Sequence, residues 1–122
     1  MFISSFDKID WQTNDKHAPL KWKLLVDANV SNSEGLSCGI LHLPINSVLS
    51  LHYHAPQEIY LIRKGQAILL SSDGEKELGE DAVVYINKNE KHGLKNAGST
   101  PLELIWIFPT DSWHDVKYNF VA

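Results

Sequence analysis

The sequence predicts an all-β protein, a sandwich or barrel of short strands. Its valine, isoleucine, leucine and aromatic residues cluster in short runs, as they do in strands. Turn-forming stretches such as "NSEG", "SSDGE" and "NAGSTP" separate these runs. No run of about ten residues or more shows the 3.6-residue period of an amphipathic helix. A chain of 122 residues that is 43% hydrophobic is enough for one domain around one core.

Nine strands are predicted, each an apolar or alternating run that ends at a turn. In chain order they are "WKLLV" (22–26), "LSCGILHL" (36–43), "VLSLHYH" (48–54), "EIYLIRK" (58–64), "QAILLS" (66–71), "KEL" (76–78), "AVVYI" (82–86), "GLKN" (93–96) and "LELIWIF" (102–108). The stretches "PINS", "APQ", "KG" and "NKNEK" supply further connections. The polar first twenty residues are expected to form a short helix or an arm. The segment after Pro109 is expected to lie across the barrel. With no repeat or linker, residues 1–122 form one predicted domain with its core at 22–108.

Composition excludes several classes of protein. The net charge is −4, and the eleven cationic residues are scattered, so no basic surface for nucleic acid is predicted. No stretch approaches the roughly 18 apolar residues of a membrane span. A single cysteine excludes an internal disulfide framework. The start of the chain reaches Asp7 and Lys8 before any apolar run of signal-peptide length, so a cytoplasmic location is expected.

The stretch "LHYHAPQEIYLIRKG" places polar groups along otherwise apolar strands. Because alternate side chains of a strand share a face, His52 and His54 are expected to point the same way, beside Ser50. Glu58 and Tyr60 likewise share a face of the next strand. If the two strands pair antiparallel, all four groups face one cavity. Imidazoles and carboxylates are costly to bury unless they are paired or bound to a metal. Two imidazoles and one carboxylate are suitable ligands for Zn, Fe, Mn, Ni or Co.

A further histidine completes the predicted metal site. His92 follows a turn downstream, and Asn96 lies four positions after it. A single histidine is more often a satisfied or solvent-facing group than a ligand. The combined pattern H-x-H-x3-E and H-x3-N predicts one divalent transition metal. A phenol near such a cation is a candidate base, because a positive charge favours the phenolate form of Tyr60.

These spacings resemble the two motifs of the cupin superfamily, G-x5-H-x-H-x3-E-x6-G and G-x5-P-x-G-x2-H-x3-N. The resemblance covers residues 46 to 96 and implies a double-stranded β-helix, the jelly-roll barrel. The motif glycines are replaced by Asn46, Asp81 and Asn89, and the proline by Asn87. Asparagine and aspartate best tolerate left-handed backbone angles, so these turns are expected to persist. Gly65 keeps its motif position.

A closer resemblance is to the small single-domain cupin lyases that split dimethylsulfoniopropionate (DMSP), the DddK type. It extends from about Trp22 to Tyr118, and its most telling elements are "LHYH", "EIY" and "WIFPTD". It implies that one divalent metal is held by four side chains, which are His52, His54, Glu58 and His92. It also implies that Tyr60 is the catalytic base and that Tyr118 is a second catalytic tyrosine.

A cationic substrate group such as a sulfonium needs aromatic faces around it. Four residues are weaker candidates for this substrate pocket: Trp22, Tyr53, Trp106 and Phe108. His17, His42 and His114 are not expected to act in the site. Two other functions stay open: a different metal-dependent cupin enzyme (isomerase, epimerase or dioxygenase) on a small carboxylate or sugar, and a non-catalytic ligand-binding cupin. A homodimer is also compatible with the sequence.

Overall fold

The computed structural model, which describes residues 1–121, consists of two antiparallel five-stranded sheets that face each other. One sheet has the strand order β1-β2-β9-β4-β7 and the other β10-β3-β8-β5-β6. The strands are β1 (Lys21–Val26), β2 (Ser37–Leu43), β3 (Val48–Tyr53), β4 (Glu58–Lys64), β5 (Ala67–Ser71), β6 (Gly74–Leu78), β7 (Val83–Ile86), β8 (His92–Asn96), β9 (Leu102–Phe108) and β10 (Asn119–Phe120). This jelly roll confirms the predicted all-β fold.

All nine predicted strands are present, with ends displaced by at most two residues. Three elements were not predicted: the short helix α1 (Ala28–Ser31), the 3₁₀ turn Trp113–Asp115 and the strand β10. At the amino terminus an arm contains a 3₁₀ turn (Phe6–Lys8) and further turns at residues 15–19. The arm is joined to β1 by a bridge between Gln12 and Trp22. No helix among residues 1–121 is long and apolar enough to cross a membrane.

The core lies between the two sheets, and β9 shows how strand alternation builds it. Leu102, Leu104, Trp106 and Phe108 are buried, while the residues between them are only partly so. Period-2 alternation therefore gives β9 one face in the core and one face outside it. Leu43 and Leu94, from β2 and β8, belong to the same cluster.

The motif turns keep left-handed backbone angles without glycine. Asn46, Asp81 and Asn89 have φ values of 65°, 68° and 60°, and Gly65 has 89°. The expectation that asparagine and aspartate preserve these turns is thus confirmed. At Gly65 a side chain is excluded for a second reason, since a Cβ atom would lie 2.8 Å from the Pro101 carbonyl oxygen.

The carboxyl-terminal segment is attached to both the barrel and its core. Strand β10 pairs with β3, with Asn119 opposite Tyr53 and Phe120 opposite His52. Trp113 and Tyr118 pack against the hydrophobic core. The segment therefore ends beside the strand that carries the candidate histidines.

Candidate metal centre and cavity

A bulge in β3 determines which side chains enter the barrel. Leu49 pairs with Leu94, and His52 pairs with His92, so β3 has one extra residue between these pairs. His52 and His54 are buried, whereas Ser50 is exposed. The expectation that Ser50 shares their face is wrong, because one extra residue reverses the direction of the side chains that follow it.

Strands β3 and β4 do not pair with each other, so the antiparallel pairing considered in the sequence analysis is not the one that brings these side chains together. β3 lies between β10 and β8, while β4 lies between β9 and β7 in the facing sheet. The connection "APQ" therefore crosses from one sheet to the other. Glu58, the first residue of β4, meets the histidines across the barrel interior and not along a shared ladder.

Three histidines form a cluster that can hold a metal ion. The ligand atoms of His52, His54 and His92 lie within 4.8 Å of one another, and all three side chains are buried. Glu58 Oε1 lies 3.1 Å from His54 Nε2 and 3.2 Å from His92 Nε2. The carboxylate thus contacts two of the three histidines directly.

Backbone carbonyl groups orient all three rings. The Nδ1 atoms of His52, His54 and His92 lie 2.7, 2.9 and 2.7 Å from the carbonyl oxygens of Ser50, Pro56 and Glu90. A carbonyl oxygen only accepts, so each Nδ1 carries a proton and donates it. In a neutral ring Nε2 then presents a lone pair to the centre of the cluster. Metal-bound histidines usually donate their other ring N–H to a carbonyl or carboxylate group in this way.

The donor set fits a divalent cation. An ionised carboxylate also only accepts hydrogen bonds, so Glu58 and neutral Nε2 atoms would repel each other unless a proton or a cation lay between them. His52 Nε2 is buried and has no partner among residues 1–121. Burial, and next the neighbouring His92 ring, lower the pKa of His52 to about 3. That ring is therefore neutral near pH 7, with its lone pair available.

Tyr60 lies on β4 beside this cluster and lines a cavity. Its side chain is 1% exposed, and its ring makes an edge contact with His92 at 5.9 Å between centroids. Its hydroxyl has no hydrogen-bond partner among the described residues, so it is not held by a backbone carbonyl as a core tyrosine commonly is. Burial, followed by Glu58 and Tyr118, raises the pKa of Tyr60 well above its usual value in the metal-free chain.

Tyr118 reaches the same place from the carboxyl-terminal segment. Its ring stacks on His52 at 5.0 Å and meets His54 edge-on at 5.3 Å. Its hydroxyl accepts a hydrogen bond of 3.1 Å from Trp113 Nε1. Burial, followed by Glu58, raises its pKa above the usual value. Sequence alone left open whether this tyrosine reaches the site.

The cavity has a volume of about 40 Å³ and largely apolar walls. Its lining residues are His17, Leu20, Trp22, Leu41, Leu49, Glu58, Tyr60, Trp106, Trp113 and Tyr118. Three indole rings form one side: Trp113 lies 5.2 Å from Trp22 and 6.2 Å from Trp106 between ring centroids. Glu58 is the sole carboxylate among the described lining residues, and no lysine or arginine lines the cavity there.

Two candidate pocket residues lie elsewhere. Tyr53 is 36% exposed, because it follows His52 in β3 and therefore faces outward. Phe108 is fully buried, and its ring packs edge-on against His54 at 5.1 Å instead of lining the cavity. Neither residue lines the cavity described above.

Sequence reasoning missed part of the wall, most clearly His17 and Trp113. The His17 ring makes edge contacts with Trp22 at 5.7 Å and Trp113 at 6.5 Å. Burial, and next Lys16, lower its pKa. Both residues lie in polar segments outside the predicted strands, where no periodic pattern marks an inward-facing position.

The Asn96 side chain has a structural role. Its side chain is buried, donates to the carbonyl oxygens of Leu43 and Thr100 at 3.0 Å each, and accepts from the Gly98 amide at 2.9 Å. It therefore holds the end of β8 to the end of β2 and to the loop before β9. In this way it supports the strand on which His92 lies.

Comparison with known proteins identifies the domain. The family model described as "Cupin domain" matches residues 39–108, more than half of the chain. No curated protein matches this sequence.

Several solved structures share the fold. The polyketide cyclase RemF from Streptomyces resistomycificus has a TM-score of 0.86 at 13% identity, covering 100% of this chain and 86% of its own. A predicted oxalate decarboxylase from Thermotoga maritima has a TM-score of 0.78 at 18% identity, covering 89% and 99%. A structure from work on two DMSP lyases has a TM-score of 0.75 at 14% identity, covering 93% and 63%. At such identities these similarities establish the fold and not the reaction.

Proposed function

Because the chain belongs to the cupin domain family, we propose that it is a metal-dependent carbon–sulfur lyase that cleaves DMSP to dimethyl sulfide and acrylate. The observation that carries the proposal is the unpartnered Tyr60 hydroxyl in an aromatic cavity beside Glu58 and three clustered histidines. The resemblance of "LHYH", "EIY" and "WIFPTD" to the DMSP lyases supports this substrate.

The cavity wall suits a sulfonium group. Trp22, Trp106 and Trp113 offer three π-faces close together, and each can contribute about 0.5–2 kcal/mol to binding a desolvated cation. Dimethylsulfonium carries its charge among methyl groups and donates no strong hydrogen bonds, so an apolar aromatic wall is a suitable partner. The neutral dimethyl sulfide product loses this attraction and can leave.

The substrate carboxylate is expected at the opposite, polar end. Among the described lining residues neither lysine nor arginine is present to pair with it. Its partner would be a divalent cation held by His52, His54, His92 and Glu58. When bound, such a cation supplies Lewis acidity toward the carboxylate and a positive charge that favours the phenolate form of Tyr60.

Tyr60 is assigned the proton transfer. Its phenolate oxygen removes a proton from the carbon next to the substrate carboxylate. The electrons of that C–H bond form the carbon–carbon double bond of acrylate, and those of the C–S bond leave with sulfur as neutral dimethyl sulfide. The proton then resides on the Tyr60 oxygen until it passes to solvent. A sulfonium is already a good leaving group, so the reaction needs no strong general acid.

The direct test measures headspace dimethyl sulfide from purified protein and DMSP, with metal content determined on the same sample. Sulfide released in proportion to bound metal is the expected result. The matched control is His54→Ala, which should release none after the same metal loading. Fully metallated wild-type protein that releases no sulfide would refute the lyase proposal.

A second candidate is a metal-dependent reaction on another small carboxylate or a sugar derivative. It is supported by the same cluster of His52, His54 and His92, because these ligands can hold a metal ion but do not select a substrate. A panel of small acids and sugar derivatives on the metallated protein distinguishes the two. Tight binding of a small carboxylate without turnover would indicate a non-catalytic cupin.

A further inference from the structure

Asp27 is a buried carboxylate that the proposed function does not use. It follows β1 and is 0% exposed. Its Oδ1 accepts from the Asn29 amide at 3.0 Å, the Asn29 side chain at 3.1 Å and Ser112 Oγ at 2.9 Å. Its Oδ2 accepts from the Trp113 amide at 2.8 Å and from Ser112 Oγ at 3.1 Å. Among residues 1–121 no cationic side chain pairs with it.

Helix capping explains only part of this arrangement. Asp27 is the N-cap of α1, and that role requires just the bond from the Asn29 amide. Serine, threonine or asparagine could do the same. The other carboxylate oxygen, Oδ2, accepts hydrogen bonds from Ser112 and Trp113. Trp113 lies 86 positions away from Asp27 in the chain. The Asp27 carboxylate therefore joins α1 to the carboxyl-terminal segment through hydrogen bonds.

The hydrogen bonds keep Asp27 ionised. Burial raises its pKa, but the bonds from Asn29, Trp113 and Ser112 outweigh burial, and the net pKa lies below the usual value. Hydrogen bonds to an ionised acceptor are about twice as strong as neutral ones. The Ser112–Trp113 turn is thus held by charge-assisted bonds.

The Ser112–Trp113 turn contacts Tyr118, the second tyrosine of the cavity. The Trp113 indole N–H donates to the Tyr118 hydroxyl at 3.1 Å. Because that hydroxyl already accepts one hydrogen bond, its own proton is available to another acceptor. The Tyr118 ring lies over His52 and lines the cavity.

We propose that Asp27 is a positioning residue, which holds the Ser112–Trp113 turn so that the Trp113 indole orients the Tyr118 hydroxyl as a hydrogen-bond donor to a carboxylate in the cavity. This deepens the proposed function and rests on it for the identity of the bound acid. The orientation itself applies to any ligand with an acceptor oxygen.

The first test needs no turnover and observes the indole N–H resonances of ¹⁵N-labelled protein. The Trp113 resonance is identified by its loss in Trp113→Phe. It should shift in Tyr118→Phe and in Asp27→Asn, because asparagine cannot accept with both side-chain atoms. Trp11 lies on the outside over Lys21 and Lys23, so its resonance serves as the internal reference. An unmoved Trp113 resonance in both variants would overturn the proposal.

The second test measures kcat and KM for DMSP. Asp27→Asn, Trp113→Phe and Tyr118→Phe should each lower kcat/KM about tenfold, the effect of losing one hydrogen bond of about 1.4 kcal/mol to the substrate carboxylate, mainly through a higher KM. In the double variant of Trp113→Phe and Tyr118→Phe the loss of kcat/KM should be smaller than the product of the two single losses, because both substitutions remove the same hydrogen bond. Ser31→Ala is the matched control, because the Ser31 hydroxyl bonds the Asp27 backbone and Ser33 but not the Asp27 carboxylate. It should keep wild-type kcat/KM.

Multiplicative effects, or wild-type kcat/KM in Trp113→Phe, would overturn the proposal. Trp113→Phe leaves Asp27 and its bonds to the backbone in place, so the test does not depend on Asp27→Asn folding. If DMSP is not turned over, the lyase proposal fails by itself. The indole shifts, and the same double-variant comparison made with the affinity for propionate, then decide the positioning role.

Discussion

Replacing Tyr60 by phenylalanine should separate catalysis from stability. The hydroxyl has no hydrogen-bond partner among residues 1–121, and the ring is buried at 1% exposure. The substitution removes one oxygen, leaves the ring packing in place and breaks no intramolecular hydrogen bond. The free energy of unfolding should therefore change by less than about 1 kcal/mol, the usual worth of one such bond. Bound metal should stay at the wild-type level, because phenylalanine replaces none of the proposed ligands.

Turnover should fall far more. Loss of a general base typically costs about 10²–10⁴-fold in rate, which corresponds to about 3–5 kcal/mol of activation free energy. The assay is dimethyl sulfide release at equal metal content, with urea unfolding on the same preparation. Tyr118→Phe is the control for stability, since it loses the bond from Trp113 and should cost about 1 kcal/mol. A fully active Tyr60→Phe variant would refute the base assignment.

Three further predictions test other parts of the structure. His54→Ala and Glu58→Ala should each lower bound metal sharply in elemental analysis, and added metal should no longer raise their melting temperature as it raises that of the wild type. Gly39→Ala should cost about 1–3 kcal/mol in urea unfolding, because the new Cβ would overlap an indole ring of the cavity wall. Gly79→Ala, which meets only ordinary contacts, should cost less. The lowered pKa of Asp27 predicts a stabilisation that is fully present above about pH 4 and is lost as pH falls through the lower folded pKa. Asp27→Asn should lack this acid-side loss, and identical pH profiles would contradict the prediction.

The cavity wall shows why the site was only partly predictable. Trp22 and Trp106 lie in strands, where an apolar run marks them as core candidates, and both line the cavity. His17 and Trp113 lie outside strands, and their places follow from contacts with residues far away in the chain. Tyr53 lies outside this cavity for a local reason, since a residue next to an inward-facing histidine in a strand faces outward.

The sequence by itself determined the strands, the turns and the chemical types of the candidate ligands. Strands follow from period-2 alternation, and the turns at Asn46, Asp81 and Asn89 follow from the tolerance of these side chains for positive φ. Tertiary structure alone decided that β3 and β4 lie in facing sheets, that a bulge brings His52 opposite His92, and that Tyr118 covers the cluster. These features depend on pairing and packing between residues that are distant in the chain, and one extra residue in a strand reverses every side chain beyond it. The local sequence pattern indicates which side chains can act as ligands, whereas long-range contacts determine which of them lie close together.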